Sequence, residues 1–391
     1  MFDGRRMVLM GAALGHFVND ANSVAFPMLI IYYHKMGIPL SYLGLMALLY
    51  GSVSALSAER VGRFADMSER KGRVMALGIA FLGVAMLIFG AVFTLPSLAL
   101  PLLASAAVVL GLGLSFYHPV GASIVASVTK RSSTSFHLGV NGSFGSLGRA
   151  LSPAIVALCV EYLGGGLGLS VEAAATLMAC LAMVALTGSA AGRPAARADQ
   201  KKQPLGRYRR FIASLMLILF LRSVFAGAVV NYLPTYFDQY FGQLVWAVVM
   251  VMYLSPVVGQ PVLGRLTDRL GGRKVIFLTS VASVTAFAFF LLLQHSPVLQ
   301  MVSMAVFSFV TFSGFPLMMG YTSQMLPEGI LARVNGMVWA FGTTIGSGVG
   351  GALGGFVGSY FGLGNIFLVA WVIGMVSVAF LPLMPKTVQA T

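Results

Sequence analysis

The sequence predicts an all-α integral membrane protein of twelve transmembrane helices, arranged as two pseudo-symmetric six-helix bundles. Hydrophobic residues make up 58% of the chain and charged ones only 9%, against about a quarter charged in an ordinary soluble domain. The 391 residues divide into apolar runs broken by short polar stretches, and at about 20 residues per crossing they suffice for about twelve helices. A charged island, Gly62-Arg63-Phe64-Ala65-Asp66-Met67-Ser68-Glu69-Arg70-Lys71-Gly72-Arg73, returns as Gly264-Arg265-Leu266-Thr267-Asp268-Arg269-Leu270-Gly271-Gly272-Arg273-Lys274. The glycine, the arginine after it and the aspartate each recur at one offset (264 − 62, 265 − 63 and 268 − 66 all give 202), roughly half the chain. Two similar halves follow, residues 1–191 and 211–391, joined by a basic linker at 192–210.

The formal net charge is +14, which in a soluble protein would point to nucleic acid. The positions of the charges point elsewhere. Arg5, Arg6, Arg60, Arg63, Arg70, Lys71, Arg73, Lys130, Arg131, the linker's cations, Arg265, Arg269, Arg273, Lys274, Arg333 and Lys386 all fall on one side if the N-terminus is cytoplasmic, and Lys35 falls on the other. That bias places both termini inside a cytoplasmic-type membrane and draws the basic segments to anionic lipid. Nucleic acid is not expected as a partner. Cys159 and Cys180 fall within spans, where they read as packing residues rather than a disulfide or a metal site.

In chain order, the first span runs from about Met7 to Tyr32 and carries His16, Asn19, Asp20 and Ser23 on neighbouring helical positions. An ionisable group inside a span is costly and faces a cavity or a partner, so the group serves either a site or a tie between helices. Spans two and three, near 42–60 and 73–93, read as apolar scaffold. The fourth, near 97–128, contains Tyr117-His118-Pro119, and proline frees a carbonyl one turn back. The fifth, near 135–162, reads Val140-Asn141-Gly142-Ser143-Phe144-Gly145-Ser146-Leu147-Gly148-Arg149, a small-residue seam ending on a deep arginine that needs a carboxylate, a carbonyl or an anionic ligand. The sixth, near 171–191, is apolar.

The second half repeats the plan near 211–233, 243–263, 275–294, 298–325, 333–359 and 362–383. Val334-Asn335-Gly336 echoes Val140-Asn141-Gly142, Phe315-Pro316 falls where His118-Pro119 fell, and Gly342, Gly346, Gly350 and Gly354 form a packing ladder. The counterpart of Asp20 at the 202 offset is Arg222.

The Gly-x-x-x-Asp islands resemble the loop signature between the second and third spans of each half in the major facilitator superfamily, with Met67-Ser68-Glu69 lengthening the first copy. Glycine suits a tight turn there, and the resemblance implies a gating role for Gly62, Asp66, Arg70, Arg73, Gly264, Asp268 and Arg273. His16-Phe17-Val18-Asn19-Asp20, Tyr117-His118-Pro119 and Asn141-Gly142-Ser143-Phe144-Gly145 resemble segments of fosmidomycin-resistance-type exporters. Val120 stands where that family tends to have glutamate, and Arg149 where it has proline.

The superfamily resemblance implies a central cavity lined by spans one, four, seven and ten. At about 1.5 Å per residue, His16 and His118 come near the midplane, with Asp20, Arg149 and Arg222 slightly beyond. The expectation is a secondary transporter working by alternating access, moving a small organic solute with protons. Arg149, Arg222, His16 and Asn141 would bind the solute, with Phe225, Tyr321 and Trp339 as apolar walls. Two arginines against one aspartate favour an anionic or amphipathic solute. Asp20 and His118 are the proton-coupling candidates, against the reading of Asp20 as a permanent bridge. An antibiotic efflux antiporter is the alternative within the class. Outside it stand a membrane-embedded enzyme using His16, Asp20 and His118, and a channel or receptor. No Gly-Lys-Ser phosphate loop, metal-ligand spacing or cofactor signature is present, and a monomer is expected.

Overall fold

Apolar runs in which nearly every residue tolerates helix fold as a succession of helices in a computed structural model that describes residues 4–129, 134–187, 205–242 and 245–385. In the first part they are α1 (Gly4–Ser23), α2 (Ala25–Lys35), α3 (Leu40–Met67), α4 (Lys71–Thr94), α5 (Ala99–Val128), α6 (Thr134–Leu163) and α7 (Gly165–Thr187). The second part holds α8 (Arg209–Phe241), α9 (Val245–Leu270), α10 (Gly272–Leu292), α11 (Pro297–Thr311), α12 (Gly314–Met325) and α13 (Glu328–Met337). A π-helical turn at Val338–Ile345 then leads into α14 (Gly346–Phe361) and α15 (Leu363–Ala379). Most of the linker lies outside the described residues.

Among the described residues, nine helices are long and apolar enough to cross a membrane without interruption. The other three expected spans are broken. The first splits between α1 and α2, where Asn22 donates to the Val18 carbonyl and Ser23 to that of Asp20, so side chains compete with the backbone ladder. The tenth splits at Phe312-Ser313 between α11 and α12, and Pro316 in the next turn has no N–H to bridge the break. The eleventh widens at the π-helical turn, where Thr343 and Thr344 donate to the carbonyls five residues back, Val338 and Trp339.

The loop signature requires a correction. Gly62 and Gly264 were expected to make turns, yet both lie inside helices, α3 and α9. The turns come later. In the second copy Gly271 supplies it with φ +83°, a conformation that suits only a residue without Cβ. In the first copy the extra residues supply it: Ser68 accepts from the Arg70 amide, and no left-handed residue is needed. Arg273 donates to the Met384 carbonyl, 2.9 Å away, and Lys71, buried, donates to Ser123 at 2.7 Å.

Contacts divide the chain into two compact units, Met1–Leu29 with Leu49–Ala198, and Ile30–Leu48 with Asp199–Thr391. The end of α2 and the start of α3 thus pack with the second unit. There Lys35 pairs with Asp238 at 2.8 Å, and Tyr232 donates to the carbonyls of Leu40 and Gly351. In the first unit α1 packs on α6, α7 and α5, and α4 on α5 and α7; in the second, α8 packs on α14 and α15, and α10 on α11. The first and fifth helical runs of each half are thus neighbours in both units, and the sequence repeat is also a repeat of packing. Phe211, Leu215, Ile218, Val275, Tyr321 and Val334 belong to the core of the second unit. Cys159 and Cys180 are free thiols, and Cys180 donates to the Ala76 carbonyl.

Candidate functional site

Within the first unit, α1, α5 and α6 bring His16, Asp20, Tyr117, His118, Asn141, Ser146 and Arg149 together. Their meeting depends on Gly145. A Cβ at that position would lie 2.5 Å from His16 and 2.6 Å from Asp20, so only a residue without one lets α6 approach α1 this closely. His16 and Asp20, four apart on α1, then face the same turn of α6.

The Asp20 carboxylate is 2% exposed and fully engaged. Oδ2 accepts from Arg149 Nη1 and lies 3.5 Å from His16 Nε2. Oδ1 accepts from Asn19 at 2.9 Å and lies 3.9 Å from His118 Nε2. Arg149 also donates from Nη2 to Ser146 at 3.1 Å. A buried carboxylate is tolerated when paired and hydrogen-bonded in this way. With both histidines neutral, Asp20 and Arg149 cancel, and the cluster carries no net charge.

A second network sets the histidine. Tyr117 donates to the Ala12 carbonyl at 2.7 Å and accepts from Asn141 Nδ2 at 2.9 Å. The same Asn141 amide lies 3.2 Å from His16 Nδ1. If Asn141 donates to Nδ1, a neutral His16 keeps its proton on Nε2, facing Asp20. The His16 ring stacks on Tyr117 with centroids 4.6 Å apart, and His118 stands edge-on to it at 5.6 Å. His118 is 47% exposed and Arg149 25%, so the cluster is open on their side, beside a carboxylate that is itself closed off.

The other expected site residues lie in the second unit. Arg222 is 6% exposed and donates to Ser280 at 3.2 Å, to the Val310 carbonyl at 2.8 Å and, more weakly, to Thr279 at 3.5 Å. Val310 is in the last turn of α11, so the guanidinium caps a helix end exposed by the break. No acidic partner of Arg222 occurs among the described residues. Phe225 is enclosed by Phe287 and Phe307, at 5.0 and 5.2 Å between centroids. Tyr321 is 2% exposed and donates to the Pro385 carbonyl. Trp339 sits in the π-helical turn against the core. Asn335 accepts from Thr322 at 2.7 Å, as Asn141 binds Tyr117, so both Val-Asn-Gly copies tie the fifth run to the fourth. Asp268 and Arg73 are exposed.

Tyr117, Asn19, Ser146 and Gly145 were not singled out as site residues. Tyr117 was legible only as the neighbour of His118, and Gly145 as one of several small residues.

A sequence profile of the Major Facilitator Superfamily matches residues 9–338 and 241–390. The chain belongs to the Major Facilitator Superfamily. It is thus a membrane transporter rather than an enzyme. Solved structures of the same fold include a bacterial homologue of the human lysosomal transporter Spinster. Its inward-facing, occupied form has a TM-score of 0.79 and 13% identity, covering 97% of this chain and 96% of that one. The unoccupied form gives 0.78, 13%, 97% and 97%. A mutant of the nucleoside transporter NupG gives 0.78 and 16%, covering 98% and 100%. No curated protein matches this superfamily member significantly.

Proposed function

We propose that this transporter moves a small organic solute, anionic or amphipathic, by alternating access coupled to protons. The observation that carries the reading is the Asp20–Arg149 pair, closed on the carboxylate side and open on the side of Arg149 and His118. An anionic solute that takes the guanidinium leaves Asp20 without its counter-charge in a buried place. Binding a proton is then the less costly state for Asp20, with His118 as the solvent-facing partner that delivers it. Arg222, a buried cation without an acid among the described residues, supports the anionic assignment from the second unit. With the three interrupted runs counted as crossings, the chain crosses twelve times as a monomer, with both termini cytoplasmic and the basic segments on anionic lipid. Gly62, Asp66, Arg70, Arg73, Gly264, Asp268 and Arg273 are assigned to the cytoplasmic gate.

Efflux by solute–proton antiport is a second reading. It is favoured by one observation: the segments resembling fosmidomycin-resistance-type exporters supply most of the cluster, His16, Asp20, Tyr117, His118, Asn141 and Gly145.

Liposomes holding a pH-sensitive dye and the purified protein test both readings against panels of organic anions, cations and neutral drugs. Proton movement on adding an anion, abolished by Asp20→Asn and by Arg149→Ala, is the expected result. A response to cations alone, or solute flux unchanged in both variants, would overturn the anion assignment and return the pair to a structural role.

A further inference from the structure

Glu172 lies seven residues into α7, the one acid in that helix, about 10 Å from its start at 1.5 Å per residue. Neighbouring helices enclose it. The residue is 8% exposed, and its Oε2 has no hydrogen-bond partner among the described residues. One turn on, Thr176 accepts from Asn22 Nδ2 of α1 at 3.3 Å, which ties this face of α7 to the end of α1. Asn22 is 2% exposed, and its Oδ1 is a second buried oxygen with no donor.

The groups around Glu172 offer no counter-charge. On α7 itself there is no other ionisable residue apart from the Cys180 thiol, whose donor goes to Ala76. Among the described residues, α6 sets the Cys159 thiol near Glu172; its Glu161 adds no positive charge, His137 stands in its first turn, and Arg149 is held by Asp20. From α4 the cations are Lys71 and Arg73, both in its first turn and far from the end near Glu172. From α1 come the amides of Asn19 and Asn22 and the already engaged Asp20. A carboxylate in such a place would be an uncompensated charge among apolar helices. A carboxylic acid carries no charge, which answers the missing counter-ion.

We propose that Glu172 is a second proton-binding site of the first unit, distinct from Asp20, and that its proton exchanges with solvent during the transport cycle. The step is simple: Glu172 carboxylate takes one proton from water to form the acid, and returns it to water when the carboxyl group becomes hydrated. Uptake from one side and release to the other would move that proton across the membrane.

Infrared difference spectroscopy of the full-length protein in lipid reads the binding directly and does not depend on which solute is carried. At neutral pH the wild type is expected to show a protonated-carboxyl carbonyl band that disappears in Glu172→Gln and shifts in Glu172→Asp. The second variant keeps the test decisive if the first fails to fold. A protonated-carboxyl band that is absent from the wild type, or present but unaltered by either variant, would show that Glu172 holds no proton at neutral pH and overturn the proposal. Loss of the band on adding Na+ at constant pH would make it a metal-ion site and overturn the proton assignment. In liposomes, Glu172→Gln is expected to keep solute exchange while transporting fewer protons per solute. An unchanged proton count would make the bound proton structural and overturn the exchange. No solute movement in the wild type would instead count against the transport reading above, leaving the spectral result intact.

Discussion

Asp20 makes the cost of each polar residue concrete. Its carboxylate and the Arg149 guanidinium tolerate burial because each compensates the other, so removing one strands its partner. Asp20→Asn or Arg149→Ala should destabilise the folded protein by about 3 kcal/mol, at the low end for a buried pair because Arg149 is 25% exposed. The double variant Asp20→Asn with Arg149→Met should recover part of that loss. Thermal unfolding in detergent measures both; additive losses would show that the pair does not act as one unit. Tyr117→Phe removes the hydroxyl that joins Ala12 to Asn141, at a cost of about 1 kcal/mol. Its larger effect should be on the pH profile of transport, because it releases the amide that orients His16. An unaltered profile would remove Tyr117 from the site. None of this pairing was visible before folding. The spacing of His16 and Asp20 could be read from one helix, but the partner of Asp20 stands 129 positions away, and no local pattern chooses between Arg149 and Arg222.

Among the elements, glycine decides which helices touch, and breaks decide which carbonyls need a partner. Gly145→Leu should push α6 off α1, cost about 1–3 kcal/mol by overpacking and disperse the cluster, while Gly139→Leu, with open space around it, should do neither. Cross-linking yield between cysteines introduced at solvent-facing positions of α1 and α6 would report the separation. At the end of α11 the relevant residue is Arg222. Arg222→Met should speed amide hydrogen exchange across the α11 to α12 break, because the Val310 carbonyl loses its donor. Loss of transport without that increase would place Arg222 in solute binding rather than in capping. The helices themselves were legible as apolar runs of the right length. Their interruptions were not, because Asn22, Ser23 and the widened turn at Val338–Ile345 act through hydrogen bonds that composition does not reveal.

For the molecule as a whole, residues 30–48 belong by contact to the second unit, although they precede most of the first. A fragment of residues 205–391 should therefore unfold at lower temperature than the same fragment co-expressed with residues 1–187, since it lacks Leu40 and Ala47, which cover Tyr232 and Gly351. Equal midpoints would mean that the 30–48 segment adds no stability. What the sequence by itself determined was the membrane environment, the two-half repeat and the ionisable residues His16, Asp20, Arg149 and Arg222 within spans; the sixth span, read as apolar, in fact encloses Glu172. Each follows from local rules: apolar length, a fixed offset, and the cost of polarity in lipid. Only the tertiary structure decided that Asp20 is held by Arg149, that Arg222 caps α11, that the signature glycines are helical, and that Glu172 has no cation beside it among the described residues. Those outcomes depend on which helix faces come within hydrogen-bonding distance, a property of packing between segments far apart in the chain.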